Sequence, residues 1–293
     1  MVERLKDAIS KARERREGVS AVPPPPGAEP AARPGGGASS VDDLWQGLAV
    51  LPIDADRMRR ERVVSYQKTD PAHVTFDVLR TRLLKLMREN GWSRLAITSP
   101  TKGCGKTVIS ANLAFSLSRH ATHRTMLIDM DLKAPRVASI LGATGKRQIG
   151  AMLTGQVAPE AHLERIGDNL ALGLNSVRVR DSAELIERPT TAQTLDAIQR
   201  RFKPEVTIFD LPPMLVNDDA LAFVQLADCT MLVVSAGESR ASDIDECERL
   251  LSANTNFLGI LLNKHRDPRR DPYSYGYGYG YGGYGYGGPS QSG

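Results

Sequence analysis

The segment LAITSPTKGCGKT, from Leu95 to Thr107, collects the residue types that hold a phosphate. Gly103 and Gly105 let backbone N–H groups approach and cradle phosphate oxygens. A helix opening at Thr107 would add the positive end of its dipole. Lys106 would reach the β and γ phosphates of a nucleotide, and the Thr107 hydroxyl would hold Mg²⁺. The expected nucleotide-binding residues here are Gly103, Cys104, Gly105, Lys106, Thr107 and Val108. The GxxxxGK[ST] pattern lacks its first glycine, because Pro100 stands in that place.

Two further pieces end on carboxylates. In MLIDMDLKAP (126–135), Asp129 and Asp131 close an apolar run on alternate residues, so both cannot simply point into a core. Carboxylates at a strand end near a phosphate loop can order Mg²⁺ and take the proton of an attacking hydroxyl. In VTIFD (206–210), an apolar run ends in Asp210 and is followed by Leu-Pro-Pro. That is the Walker B arrangement, in which the carboxylate holds Mg²⁺. The expected catalytic set is Lys106, Asp129, Asp131 and Asp210, and the expected metal set is Thr107, Asp129 and Asp210. A phosphoryl acceptor stands at the other end of the chain. Residues 273–288 read YSYGYGYGYGGYGYGG and hold seven of the eight tyrosines: Tyr273, Tyr275, Tyr277, Tyr279, Tyr281, Tyr284 and Tyr286. Interleaved glycine works against a packed strand or helix and leaves the phenols accessible.

Positioning these groups requires strands that end where the ligand sits. Apolar runs predict strands over Leu95–Ser99, Thr125–Asp129, Leu170–Leu174, Val206–Asp210, Cys229–Ser235 and Phe257–Leu262. Helices are predicted over Val74–Asn90, Thr107–Arg119, 134–141, 146–154 and Ala183–Phe202. This alternation predicts an α/β fold of the P-loop NTPase kind, with a mostly parallel sheet flanked by helices and its ligand at the strand C-terminal ends. Around it the reading places a short charged helix over 1–18 and a Pro/Gly-rich linker and irregular segment over 19–72. The P-loop domain follows over 73–266, then a disordered Tyr/Gly-rich tail over 267–293. Leu44–Leu51 stands out as an apolar docking patch.

Composition excludes several classes. The 293-residue chain is 41% hydrophobic with a formal net charge of +4, a basic bias too mild and too dispersed to argue for nucleic acid. It contains no apolar run long enough for a transmembrane helix, and its charged N-terminus is unlike a secretory signal. Cys104, Cys229 and Cys247 lack metal or CxxC spacing, which fits a reducing cytoplasm.

The set SPTKGCGKT, LIDMDLKAP and IFDLPP, with the tyrosine tail, resembles the bacterial tyrosine kinases (BY-kinases) of the CpsD/CapB type, within the wider MinD/ParA-like P-loop ATPases. FDVLRTRLL (76–84), IGAMLTG (149–155), SAELI (182–186), NDDALAFVQLAD (217–228) and GILLNK (259–264) support the likeness. The resemblance implies an ATP- and Mg²⁺-dependent autokinase acting on its own tail, mainly between copies of the chain. It also implies that Asn263 contacts adenine. Further implied partners are a separate membrane chain-length regulator that recruits the chain to the inner face of the membrane, and a phosphotyrosine phosphatase. The implied process is exopolysaccharide or capsule synthesis and export. Departures from the pattern are specific. Lys133 stands where the family carries arginine after its second aspartate, which keeps the charge but loses the bidentate fork. The family's ExxRxxR assembly helix falls on Val74, Asp77 and Arg80, of which only Arg80 matches. A MinD/ParA-like ATPase, or an ATP-binding scaffold without kinase activity, is the alternative reading.

Overall fold

A computed structural model describes residues 40–120 and 122–265. The expected N-terminal helix, the linker as far as residue 39 and the tyrosine tail lie outside them. The compact unit begins at Ser40.

Eight strands form one sheet: β1 (Ala49–Val50), β2 (Arg94–Thr98), β3 (Thr125–Asp129), β4 (Glu164–Ile166), β5 (Leu170–Gly173), β6 (Val206–Asp210), β7 (Cys229–Ser235) and β8 (Asn256–Asn263). Their spatial order is β1-β4-β5-β3-β6-β2-β7-β8. Every neighbouring pair is parallel except β4 with β5. The central strands β3, β6 and β7 are buried along their whole length. Helices cover both faces, which is why these runs are continuously apolar instead of alternating.

The helices before β2 are α1 (Val41–Gln46), α2 (Ala55–Arg60) and α3 (His73–Asn90), with a 3₁₀ turn at Val64–Tyr66. Between β2 and β5 come α4 (Lys106–Ser118), α5 (Val137–Ile140), α6 (Ile149–Leu153) and α7 (Pro159–His162). The remainder are α8 (Ser182–Glu187), α9 (Pro189–Phe202), α10 (Asp219–Val224) and α11 (Ala241–Asn254). Two apolar clusters fill the two faces of the sheet. One gathers α3 and α4 residues such as Leu83, Leu113 and Leu117. The other gathers Trp45, Phe202, Phe209 and Phe223.

Most predicted elements recur within a residue or two of their expected bounds, and β3, β6 and β7 match them. The predicted helix over Ala183–Phe202 is two helices. Arg188, which precedes Pro189, takes an extended conformation with ψ 134°, as a residue before proline prefers. The segment 42–72, expected to be irregular, is built into the fold. Its α1 opens on a capping box at Ser40 and Asp43. Its β1 pairs with β4. The apolar stretch Leu44–Leu51 docks on its own domain: Trp45, Leu48 and Leu51 are buried, and Trp45 Nε1 donates to Phe202 O at 2.8 Å.

Candidate active site

The site lies where β2, β3 and β6 end side by side. Register sets it. Asp129 at the end of β3 pairs with Asp210 at the end of β6, and Asp210 pairs across its other edge with Ile97 of β2. The chain leaving β2 then wraps into the glycine loop and enters α4 at Lys106.

Gly103 and Gly105 adopt φ of +85° and +93°, a region that residues with side chains rarely enter. At Gly105 a Cβ would also lie 2.3 Å from Asn263 Nδ2. Asn263, at the end of β8, donates that amide to Cys104 O at 2.8 Å, so β8 braces the loop from the outside. The Cys104 thiol lies 3.7 Å from Ser239 Oγ.

Lys106 and Thr107 meet the carboxylates at the base of the loop. Lys106 Nζ lies 2.9 Å from Asp131 Oδ2 and 3.4 Å from Asp210 Oδ2. Thr107 Oγ1 donates to Asp210 Oδ2 at 2.7 Å. Ser110, one helical turn after Lys106, donates to Asp210 Oδ1 at 3.0 Å. Asp129 is different. It is fully buried, and its oxygens accept backbone N–H groups of Arg136, Val137 and Asp131 at 3.0, 2.9 and 3.2 Å. It therefore fixes the turn that carries Asp131. Asp131 faces a cleft of about 1120 Å³, lined also by Gly103, Lys106, Thr107, Val108 and Asn263.

The electrostatics follow from burial. Desolvation opposes charge on Lys106, but Asp210, Asp131 and Asp129 together overcome it and hold the ammonium above its usual range. Burial, then the charge of Asp210, pushes Asp129 well above the ordinary carboxylate range, against the Val137 N–H and the charge of Lys106. Burial likewise raises Asp210, although Lys106 and Thr107 pull it down. The site thus sets three buried carboxyl groups against one buried lysine, an excess of acidic groups that a bound cation would relieve. Thr107 and Asp210 supply hard oxygen donors, the chemistry that suits Mg²⁺. The glycine loop supplies the space a phosphate needs.

The structure therefore brings Lys106, Thr107, Asp131 and Asp210 into direct contact. It places Asp129 beside them with its oxygens turned to backbone N–H groups, and Asn263 against the loop. The seven tail tyrosines lie outside the described residues. Sequence reasoning missed Ser110. Its spacing of one turn from Lys106 is the only signal that could have found it, and serines on buried helix faces are commonplace.

The CobQ/CobB/MinD/ParA nucleotide-binding domain family matches residues 95–274. Tyrosine-protein kinase CpsD of Streptococcus agalactiae is 30% identical over 198 residues, which are 64% of this chain and 82% of that protein. Putative tyrosine-protein kinase EpsB of Ralstonia nicotianae is 29% identical over 199 residues, 66% of this chain. The match spans only 26% of that protein's length. Among solved structures, the kinase domain of Escherichia coli tyrosine kinase ETK superposes with a TM-score of 0.62 at 25% identity, over 70% of this chain and 80% of that one. The chain belongs to the CobQ/CobB/MinD/ParA nucleotide-binding family and, within it, to the tyrosine-protein kinases of the CpsD/CapB type.

Proposed function

We propose that this chain is an ATP- and Mg²⁺-dependent protein-tyrosine autokinase that phosphorylates its own C-terminal tyrosines, Tyr273 to Tyr286, mainly between copies of the chain. The observation that carries the reading is the Lys106 ammonium held between Asp131 and Asp210 at the foot of a glycine loop. Lys106 neutralises the phosphates, while Thr107, Asp210 and, by family pattern, Asp129 serve the metal. Mg²⁺, when bound, would supply charge neutralisation at the nucleotide phosphates. Asn263 stands at the loop for the adenine. Asp131 is the base, because it lines the cleft, with Oδ1 accepting the Ala134 N–H and Oδ2 beside Lys106, whereas Asp129 is fully buried and accepts three backbone N–H groups. In the transfer the tyrosine oxygen forms a bond to the γ phosphorus, the bond to the leaving ADP oxygen breaks, and the phenolic proton passes to Asp131. Such transfer depends mostly on positioning and charge stabilisation.

Family membership supports the wider role: regulation of exopolysaccharide or capsule polymerisation and export. The chain would work in the cytoplasm at the inner face of the membrane, recruited by a separate membrane chain-length regulator and reset by a phosphotyrosine phosphatase. No helix among the described residues is long and apolar enough to cross a membrane. One observation favours a second reading, an ATP-binding scaffold. Arg80, the retained residue of the assembly helix, is engaged inside its own chain, donating to Asp77 at 3.2 Å and to Ser116 O at 2.9 Å.

The test is incubation of the purified chain with Mg-ATP, with and without a candidate membrane partner, followed by mass spectrometry for phosphotyrosine. Phosphate is expected on the tail of the wild type and on neither Lys106→Met nor a chain truncated at Asp271. An unmodified tail under every condition gives the scaffold reading instead.

A further inference from the structure

Beyond the residues assigned above, the cleft wall carries a cation with an unusual support. Lys133 follows Asp131 by two residues and lines the same cleft. Its side chain is 40% exposed, and its Nζ lies 3.1 Å from Asp219 Oδ1. Asp219 opens α10 and is wholly buried, beside the buried Ala220 and Phe223. Its other oxygen accepts the Ser182 hydroxyl at 2.6 Å. A carboxylate in such a place is costly unless paired, and an apolar residue would pack there without that cost. Asp219 does not cap its helix either, since the N-cap is Asp218. What it does is hold one ammonium at the cleft wall.

The hold is Coulombic, without the alignment of a hydrogen bond: no donor among the described residues is directed at Asp219 Oδ1. Lys133 is therefore anchored by charge while its N–H groups stay available to a second acceptor. Lys106 contrasts with it, being enclosed by Thr107, Asp131 and Asp210. Arg136, also on the cleft, has a side chain 65% exposed that lies 4.0 Å from Glu61 Oε2. We infer that Lys133, positioned by Asp219, recognises a terminal phosphate dianion in this cleft, either the γ phosphate of the nucleotide or the phosphate of a phosphotyrosine. Asp219 acts through Lys133 and is a positioning residue. The inference rests on the cleft being a phosphoryl-transfer site.

Binding in Mg²⁺ tests it on the full chain, independently of turnover. The probes are a non-hydrolysable ATP analogue, ADP, and a phosphotyrosine peptide with the sequence of the tail repeat. Lys133→Met should weaken the analogue or the phosphopeptide about tenfold, the scale of one lost charge-assisted contact, and leave ADP within about twofold. Loss on the analogue identifies the donor phosphate, and loss on the phosphopeptide identifies the product. Lys133→Arg should restore most of the loss. Asp219→Asn should reproduce it in part, and the double variant should be no weaker than Lys133→Met, because both act through one ammonium. Unchanged affinities for both phosphate probes in Lys133→Met overturn the inference, as do independent, additive losses. Lys133→Met decides alone if Asp219→Asn fails to fold. A wild type that prefers the analogue through Lys133 yet never modifies tyrosine keeps this inference and overturns the kinase reading.

Discussion

Lys106 is the residue on which the site's charge balance turns, and its removal has a pH signature. Its folded pKa is raised, so it stabilises the fold at all pH values below its usual range and loses that effect only as pH rises through the raised value. Asp129 and Asp210 behave oppositely. Their folded pKa values lie above the unfolded ones, so their ionisation penalty is absent below about pH 4 and complete only above the raised values. Lys106 pulls both down, and without it both rise further. Lys106→Met should therefore cost about 3 kcal/mol at pH 8, the scale of a broken buried pair. The deficit should shrink steadily as the pH falls toward 5 and the carboxylates take up protons. Urea unfolding of both proteins across that range measures it, and a deficit independent of pH would contradict the charge cluster. The meeting of Lys106, Thr107 and Asp210 was legible because motif and strand end coincide. The different placement of Asp129 and Asp131 was not, because it depends on which carboxylate the backbone of residues 131–137 turns around.

Among the elements, the segment before α3 shows what local sequence cannot carry. The runs of β3, β6 and β7 announce themselves through unbroken apolar character, since both faces of each are covered. By contrast β1 has two residues and β4 three, too few for any period to show. Helix α11 escapes a reading of periodicity because its core face reduces to scattered positions such as Cys247 and Leu251 among acidic residues. Trp45 packs against Phe202, 157 residues away, and no window around Trp45 contains that partner. Trp45 is also crossed by the Arg124 guanidinium at 5.6 Å. Trp45→Ala should accordingly cost about 3–5 kcal/mol, through the cavity and the orphaned Phe202 carbonyl. Val50→Ser, at a site 61% exposed, should leave the melting temperature unchanged. Equal melting temperatures for Trp45→Ala and the wild type would mean that α1 is an appendage and not part of the core. Between α3 and α4, Asp77 accepts from Ser116 at 2.6 Å and also pairs with Arg80 and Arg119. That network ties Asp77 and Arg80, two of the three positions on which the family's assembly pattern falls, to their own chain.

For the whole molecule the relevant quantity is charge. The chain carries a formal +4, and each phosphotyrosine adds about −1.5 to −2. Three modified tyrosines are enough to reverse the sign of the chain, and seven are present in the tail. Copies held together would then repel one another through segments concentrated at one end, with an energy that falls as salt screens it. Under the autokinase reading, phosphorylation in trans thus opposes the assembly that makes it possible, which sets a natural stop to the reaction. Light scattering should show a lower mass for the phosphorylated chain than for the dephosphorylated one at low ionic strength, with the two converging as salt is raised. A chain with every tail tyrosine changed to phenylalanine should keep the higher mass after incubation with Mg-ATP. Equal masses for the phosphorylated and dephosphorylated forms at the same low salt would remove the electrostatic switch, and would leave tail phosphate as a signal read by a partner instead of a force acting between copies.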